Sequence, residues 1–465
     1  MNKIVPKFLQ ISVNREHAQD VPRVKFGPTV WQKLFLYIIS MIIVITTNSL
    51  YGRLGNNPVL LRTALLLLII IGIIGIWIKW RLPKRTIGLC VYWALGVAIV
   101  YIMIRLLSGK NSGGLNNLFF CLLCITPLFI CLLKEANLFN TLLKCFTNVV
   151  FLLGITSIAL WLAGPIAGIV SVNCTIENTW NGLGVLKSTP GYFGLLFETQ
   201  LSRFGNYILL RNTSIFTEGP MFSFVLSIAL VFELYLSKEI RKPVVLVLVI
   251  TILTTLTSTG YIFLIGVSIL QVIYSMPEKG PKRNLLILAL LILVIAGSIA
   301  AMWLLNEKLG TSSLSGVTRI DDFVAGYRAW LDSPVYGNGL ADSDSILSYM
   351  SSFRANNLGF SNSPMAILAR GGVIFMLLYL IPFLSFFTAS EKGYRISGVL
   401  IIYLWTITVV WSLPICILLL SIGLSSALSN ANESNHSISD FVTHLEKSNK
   451  LKMHDGVNGT IGTIY

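Results

Sequence analysis

The chain has 465 residues, of which 54% are hydrophobic and only 12% charged, with a formal net charge of +15 and a mean hydropathy of +0.76. Soluble domains carry about 25% charged residues, so this balance excludes an ordinary soluble protein and points to an all-α polytopic membrane protein. The excess of Lys and Arg is scattered over short loops and forms no single patch, which argues against a nucleic-acid partner.

In chain order, residues 1–30 are polar and basic, with no cleavable signal pattern before the first apolar run. Residues 31–424 then form one transmembrane domain. Runs of about 20 apolar residues can cross a hydrocarbon layer of roughly 30 Å. Trp31–Leu50, Val59–Trp80, Thr86–Leu107, Leu118–Leu133 and Phe146–Val170 read as spans, as do Met221–Leu236, Leu285–Leu305, Met365–Phe387 and Ser397–Gly423. The 32-residue block Val244–Ser275 would reach about 48 Å as one helix. It reads instead as two helices folded at Thr257-Ser258-Thr259-Gly260. The total is about eleven spans, with Pro414 leaving room for a twelfth. The tail 425–465 is rich in Ser and Asn, lacks apolar periodicity and reads as disordered.

Basic residues mark the cytoplasmic side. The N-terminal segment and the Arg81/Lys84/Arg85, Lys238/Arg241/Lys242, Lys279/Lys282/Arg283 and Lys392/Arg395 loops fall on one side by span count. Two long loops, about 171–220 and 306–364, fall on the other. Within the second, Arg319–Leu331 places Ile320, Phe323, Val324, Tyr327, Trp330 and Leu331 on one helical arc, an amphipathic helix suited to lie on the membrane or cap the bundle. Asp322 reads as part of its solvated face. A second short helix is expected over Ser343–Phe353.

Cations recur in these outer loops, although topology disfavours them there: Lys187, Arg203, Arg211, Lys308, Arg319, Arg328 and Arg354, with Arg370 just inside the next span. Arg is suited to bidentate phosphate binding; the plainer alternative is pairing with Glu198, Glu218, Asp321, Asp322 or lipid headgroups. Glu218 stands at an apolar lip, where an acid's pKa is raised. It is the leading candidate for a general base, with Asp321 and Asp322 as runners-up and a structural Glu–Arg pair as the plainer alternative. Asp342-Ser343-Asp344 has the form of a metal-binding D-x-D, but at a helix start it reads as an N-cap. Cys121 and Cys124 sit in an apolar helix without further ligands and read as packing residues. All four histidines, His17, His436, His444 and His454, lie in the polar tails.

Three stretches together resemble the O-antigen polymerase and O-antigen ligase superfamily of C-type (GT-C) membrane glycosyltransferases. They are Arg211 to Pro220, with Phe216, Glu218 and Pro220 before a span; Leu256 to Gly260; and Arg319, Trp330, Pro334, Gly337 and Gly339 followed by Phe360-Ser361-Asn362-Ser363 and a span with Gly371-Gly372. The resemblance covers about Arg211 to Phe387. It implies an enzyme of the bacterial plasma membrane that works at the outer face on undecaprenyl-diphosphate-linked oligosaccharides. Such an enzyme breaks the sugar–phosphate bond and joins the sugar to an acceptor hydroxyl, with no metal, cofactor or nucleotide sugar. Glu218, Arg211 and Arg319 become the candidate catalytic residues. Arg203, Arg328, Thr257, Ser258, Ser361, Asn362, Gly337 and Gly339 become candidate substrate ligands, although Asn362 also fits as a helix cap and the two glycines as turn residues. Ligases carry His-Asn where this chain has Ser361-Asn362, and an Arg in the hydroxyl-rich turn where it has Thr259-Gly260. Both departures favour a polymerase of O-antigen, capsule or exopolysaccharide, with a chain-length regulator and a flippase as candidate partners. The alternatives are an O-antigen ligase and, in a different class, a transporter of lipid-linked oligosaccharides.

Overall fold

The computed structural model describes residues 27–108, 113–178, 187–204, 207–277, 284–288, 314–354 and 359–427. Five helices come first: α1 Val30–Thr46, α2 Asn57–Trp77, α3 Lys84–Ser108, α4 Gly113–Glu135 and α5 Phe139–Trp161. After a strand-bearing segment follow α6 Gly219–Val231, α7 Lys242–Thr254, α8 Ser258–Tyr274, α9 Leu314–Asp332, α10 Asp344–Leu347, α11 Ser363–Ser385 and α12 Lys392–Thr406. A last apolar helix, α13, is Pro414–Ala427. Six of the described helices are long and apolar enough to cross a membrane. The chain is a mostly helical protein with membrane-protein character.

Local chemistry explains where the helices begin. Thr29 and Gln32 form a reciprocal capping box at α1, and proline occupies the first turn of α2, α6, α7 and α11. Proline costs nothing there, because the first N–H groups of a helix have no partner in any case. The block Val244–Ser275 divides as its length requires. Leu256 takes a left-handed φ of 50°, and Thr257 caps α8 by accepting from the N–H of Gly260 at 3.3 Å. The break therefore falls at Thr255–Thr257, and residues 258–260 begin the helix instead of forming the turn. Ser397–Gly423 is likewise two helices, parted between Thr406 and Pro414.

Burial sorts the helices into a centre and a rim. The best apolar window of the α6 span, Gly219–Leu236, is 83% buried, against 22% for those of α2, α3 and the span that includes α5. The α6 side chains from Met221 to Val231 are all enclosed, and the apolar rim faces outward as a lipid-solvated surface does. At one end of α6, Glu233 is wholly buried and holds Arg241 through Oε2 at 2.7 Å.

The loop 171–220 departs from the all-helical expectation. It forms an antiparallel sheet of β1 Cys174–Asn178, β2 Lys187–Tyr192 and β3 Leu196–Phe197 in the order β1-β2-β3, and a hairpin of β4 Leu201–Phe204 with β5 Tyr207–Leu210. Cys174 lies opposite Gly191, and Leu201 opposite Leu210. Most of the expected span Leu285–Leu305, with Lys308, the basic N-terminal segment, all four histidines and the tail beyond residue 427, lies outside the described residues.

The amphipathic helix is present as α9, with its small and acidic face toward the bundle and its apolar arc away from it. Asp321, Asp322, Ala325 and Ala329 are buried, and Gly326 lies close against Met365 and Phe360. The apolar arc of Ile320, Phe323, Val324, Tyr327 and Leu331 is exposed. Small residues let α9 lie tightly on α11. The placement of Asp322 on a solvated face is thus corrected: it is an interior acid.

Candidate functional site

The site is a convergence of chain segments at the end of the bundle where α1 gives way to α2. Ser49 and Phe216 form an isolated antiparallel bridge. Around it the Leu50 N–H donates to Ile215 O at 2.9 Å, and the Thr217 hydroxyl donates to Asn48 O at 3.1 Å. These bonds fasten the α1–α2 connection to the segment Arg211–Glu218. Asn212 fastens that segment on its other side. Its amide donates to Ser157 Oγ at 3.1 Å and Thr254 Oγ1 at 3.0 Å, and its N–H donates to Thr254 O at 3.1 Å. The first turn of α8 is joined to α12, because the Tyr403 hydroxyl donates to Thr259 O at 3.4 Å.

Glu218 stands at the centre. It is the residue before α6, in an extended conformation with φ −156° and ψ 154°, and it is half-buried. Burial raises its carboxyl pKa above the usual glutamate range, while Arg53, Arg319 and Arg211 pull it back. Three guanidiniums from three separate segments thus act electrostatically on one acid: Arg53 from the α1–α2 connection, Arg211 from the loop before α6, and Arg319 from α9. Yet the Glu218 carboxylate accepts no hydrogen bond and closes no contact ion pair among the described residues. Nε of Arg211 is buried without a hydrogen-bond partner, and burial lowers the pKa of that guanidinium, with Glu218 and Tyr261 opposing the shift. A buried donor left unmade costs about 1–3 kcal/mol. Cations gathered near an acid without closing on it are the kind of charge arrangement that an anion can use.

The three residues expected to carry chemistry, Glu218, Arg211 and Arg319, are therefore neighbours. The expected ligands are more divided. Thr257 and Ser258 lie at the start of α8, next to this cluster; the Thr257 hydroxyl is 3.1 Å from that of Thr255 and also caps the helix. Arg203 sits in β4 opposite Ile208. Arg328 is exposed beside Tyr349, whose hydroxyl donates to Asp332 at 2.9 Å; it is not among the cations that face Glu218.

Ser361 and Asn362 are committed to structure. The Ser361 hydroxyl donates to Asp322 Oδ2 at 2.5 Å and its N–H to the same oxygen at 2.9 Å. Asn362 caps α11 by accepting from the Met365 N–H at 3.0 Å. Gly337 and Gly339 are packing residues. Gly337 has φ +71°, and a Cβ there would lie 2.3 Å from the Arg370 carbonyl carbon; the Gly339 N–H donates to Arg370 O at 2.9 Å. Asp342 accepts from the N–H groups of Asp344 at 3.0 Å and Ser345 at 3.4 Å, although the residue directly before α10 is Ser343, whose side chain makes no cap bond.

Arg354 proves to be a buried anchor. Its Nη1 lies 2.8 Å from Asp322 and 3.2 Å from Asp321, and Nη2 donates to Gly359 O. Burial raises the Asp322 pKa; its bonds from Ser361 and Arg354 oppose that. Among the described residues, no group of three or more His, Cys, Asp or Glu gathers as a metal site. Reasoning from the sequence missed Arg53. The available signal was a single cation on the short connection between two apolar runs. Comparison with family models, curated proteins and solved structures finds no match for this chain.

Proposed function

We propose that this chain is a glycosyltransferase that polymerises lipid-linked oligosaccharide repeat units into a surface polysaccharide. The observation that carries the proposal is the charge cluster at Glu218: Arg53, Arg319 and Arg211 all act on its carboxyl, and none closes a contact ion pair on it among the described residues. Cleavage of a sugar–diphosphate bond leaves negative charge on the departing diphosphate, and fixed guanidiniums lower that barrier because they need no reorganisation. The acceptor hydroxyl must lose a proton as its oxygen bonds to the anomeric carbon. A carboxylate with a raised pKa is matched to take it. The bond formed is the new glycosidic C–O, the bond broken is anomeric carbon to phosphate oxygen, and the electron pair leaves on the diphosphate.

In this reading the chain has about eleven or twelve spans in a GT-C-like arrangement. Its N-terminus is cytoplasmic and the Glu218 site faces outward from a bacterial plasma membrane. Undecaprenyl-diphosphate oligosaccharides serve as donor and acceptor. Tyr327, Trp330 and Phe360 remain candidates for stacking on sugar rings. The resemblance in Arg211–Pro220 and Arg319–Gly372 supplies the substrate class.

The test is reconstitution of the purified chain with lipid-linked repeat units. A ladder of product lengths is the expected result; one transfer to a lipid A core means a ligase, and transbilayer movement without new bonds means a transporter. Arg211→Ala and Arg319→Ala are expected to abolish the ladder at normal expression, and full activity in both overturns the clamp. Glu218→Gln is expected to bind the donor and fail to extend it.

A further inference from the structure

One cation near the site is unaccounted for by the loops that carry Arg211 and Arg319. Arg62, on the second turn of α2, is 7% exposed, and its one described hydrogen bond is long, from Nη1 to the neutral Leu115 carbonyl of α4 at 3.4 Å. No carboxylate is in contact with it among the described residues. It lies close enough to Arg53 for the two charges to repel. Arg53 is held in place by its own loop, with Nη2 2.7 Å and Nε 3.2 Å from Asn48 Oδ1. That loop is bonded through Asn48, Ser49 and Leu50 to the strand of chain that ends in Glu218. A guanidinium enclosed at membrane depth beside another cation is costly without an anion between them.

We propose that Arg53 and Arg62 form a second phosphate subsite, at the junction of the α1–α2 connection with α2 and α4, that takes the lipid-side phosphate of the diphosphate. This rests on the glycosyl-transfer reading. Depth decides which phosphate goes where. Arg62 lies nine residues beyond Arg53, inside an apolar span, whereas Glu218, Arg211 and Arg319 stand at the mouth. A lipid diphosphate has its hydrocarbon in the membrane and its sugar at the reacting acid. Its inner phosphate therefore meets Arg53 and Arg62, and its outer phosphate, the one bonded to sugar, meets Arg211 and Arg319. Four guanidiniums then surround two phosphates, so the ion is gripped at both groups and oriented with the scissile bond toward Glu218.

The subsite is tested by binding of undecaprenyl monophosphate, undecaprenyl diphosphate and undecaprenol to the full chain in nanodiscs. The monophosphate offers only the inner group. Arg53→Gln and Arg62→Gln are expected to weaken monophosphate and diphosphate alike, by about tenfold for one charge-assisted contact. Arg211→Gln is expected to weaken the diphosphate alone. Undiminished monophosphate binding by Arg53→Gln, with a wild-type thermal midpoint showing that it is folded, overturns the subsite. So does a wild-type chain that binds the monophosphate no better than undecaprenol. If Arg53→Gln weakens both lipids while Arg211→Gln changes neither, the inner subsite stands and the clamp at Glu218 is what fails.

Discussion

Arg354 lies 2.8 Å from Asp322 and 3.2 Å from Asp321, all three buried, and this knot fixes where α9 delivers Arg319. The two acids follow Arg319 on the same helix; the Ser351 hydroxyl donates to Asp321, and the arginine joins both acids to the Gly359 carbonyl. Removing Arg354 leaves two interior carboxylates uncompensated, which costs about 3–5 kcal/mol. Arg354→Met is expected to lower the thermal midpoint sharply. Arg354→Lys is expected to recover only part of it, since one ammonium cannot reproduce a planar fork shared between two acids and a carbonyl. Unfolding followed by intrinsic fluorescence in detergent measures both; a wild-type midpoint for Arg354→Met contradicts the anchoring role.

Glu218 makes the folded state sensitive to pH in a direction opposite to most carboxylates. Its folded pKa is raised above the ordinary 4.5, chiefly by burial, so the folded chain holds that proton more tightly than the unfolded chain does. Its contribution is fully present below the ordinary value and is lost as pH rises through the folded pKa. Glu218→Gln mimics the protonated acid. Its midpoint is expected to exceed wild type at neutral and alkaline pH and to match it below 4.5. A variant less stable than wild type across the whole range shows that the arginines, and not burial, dominate at this carboxyl.

Gly337 is expected to behave as a packing residue. With φ +71° and the Arg370 carbonyl carbon 2.3 Å from where a Cβ would stand, alanine meets both a strained backbone and a wall of main chain. Gly337→Ala is expected to destabilise by at least about 2 kcal/mol. Any folded fraction is expected to bind lipid diphosphate as wild type does. Loss of binding at an unchanged midpoint returns the glycine to the site.

Why Glu218, Arg211 and Arg319 were legible in the sequence is physical: charges are expensive beside apolar helices, so each one at a lip calls for an explanation. The same argument applied to Arg53 and Arg62 would have found them, but a single cation on a three-residue turn and one within a span carry no pattern. The sheet was hidden for another reason. Strand β2 reads Lys-Ser-Thr-Pro-Gly-Tyr, a turn by local preference, and it is made a strand by pairing with β1 and β3 and by the burial of Tyr192. Periodicity found the apolar arc of α9 correctly, but period alone does not say which solvent an apolar face meets. In this chain the small and acidic face is the one that packs.

That exposed face makes the last prediction. Ile320 is 60%, Phe323 50% and Leu331 52% exposed, on a helix whose opposite side is already bonded to the bundle through Asp321 and Asp322. Side chains of this size returned to an apolar phase gain roughly 1.5–3 kcal/mol each when fully buried. Half-exposed, three of them still favour the membrane interface by a few kcal/mol, enough to hold α9 against lipid and keep Arg319 at the mouth. Environment-sensitive labels at Phe323→Cys and Leu331→Cys, in a background cleared of the seven native cysteines, are expected to be quenched by brominated lipid. A label at Arg328→Cys is expected to be quenched less. Phe323→Asp is expected to lower turnover more than it lowers the thermal midpoint, because it frees the helix from the interface without cutting the Arg354 knot. Labels that report water at all three positions overturn the interfacial placement of α9.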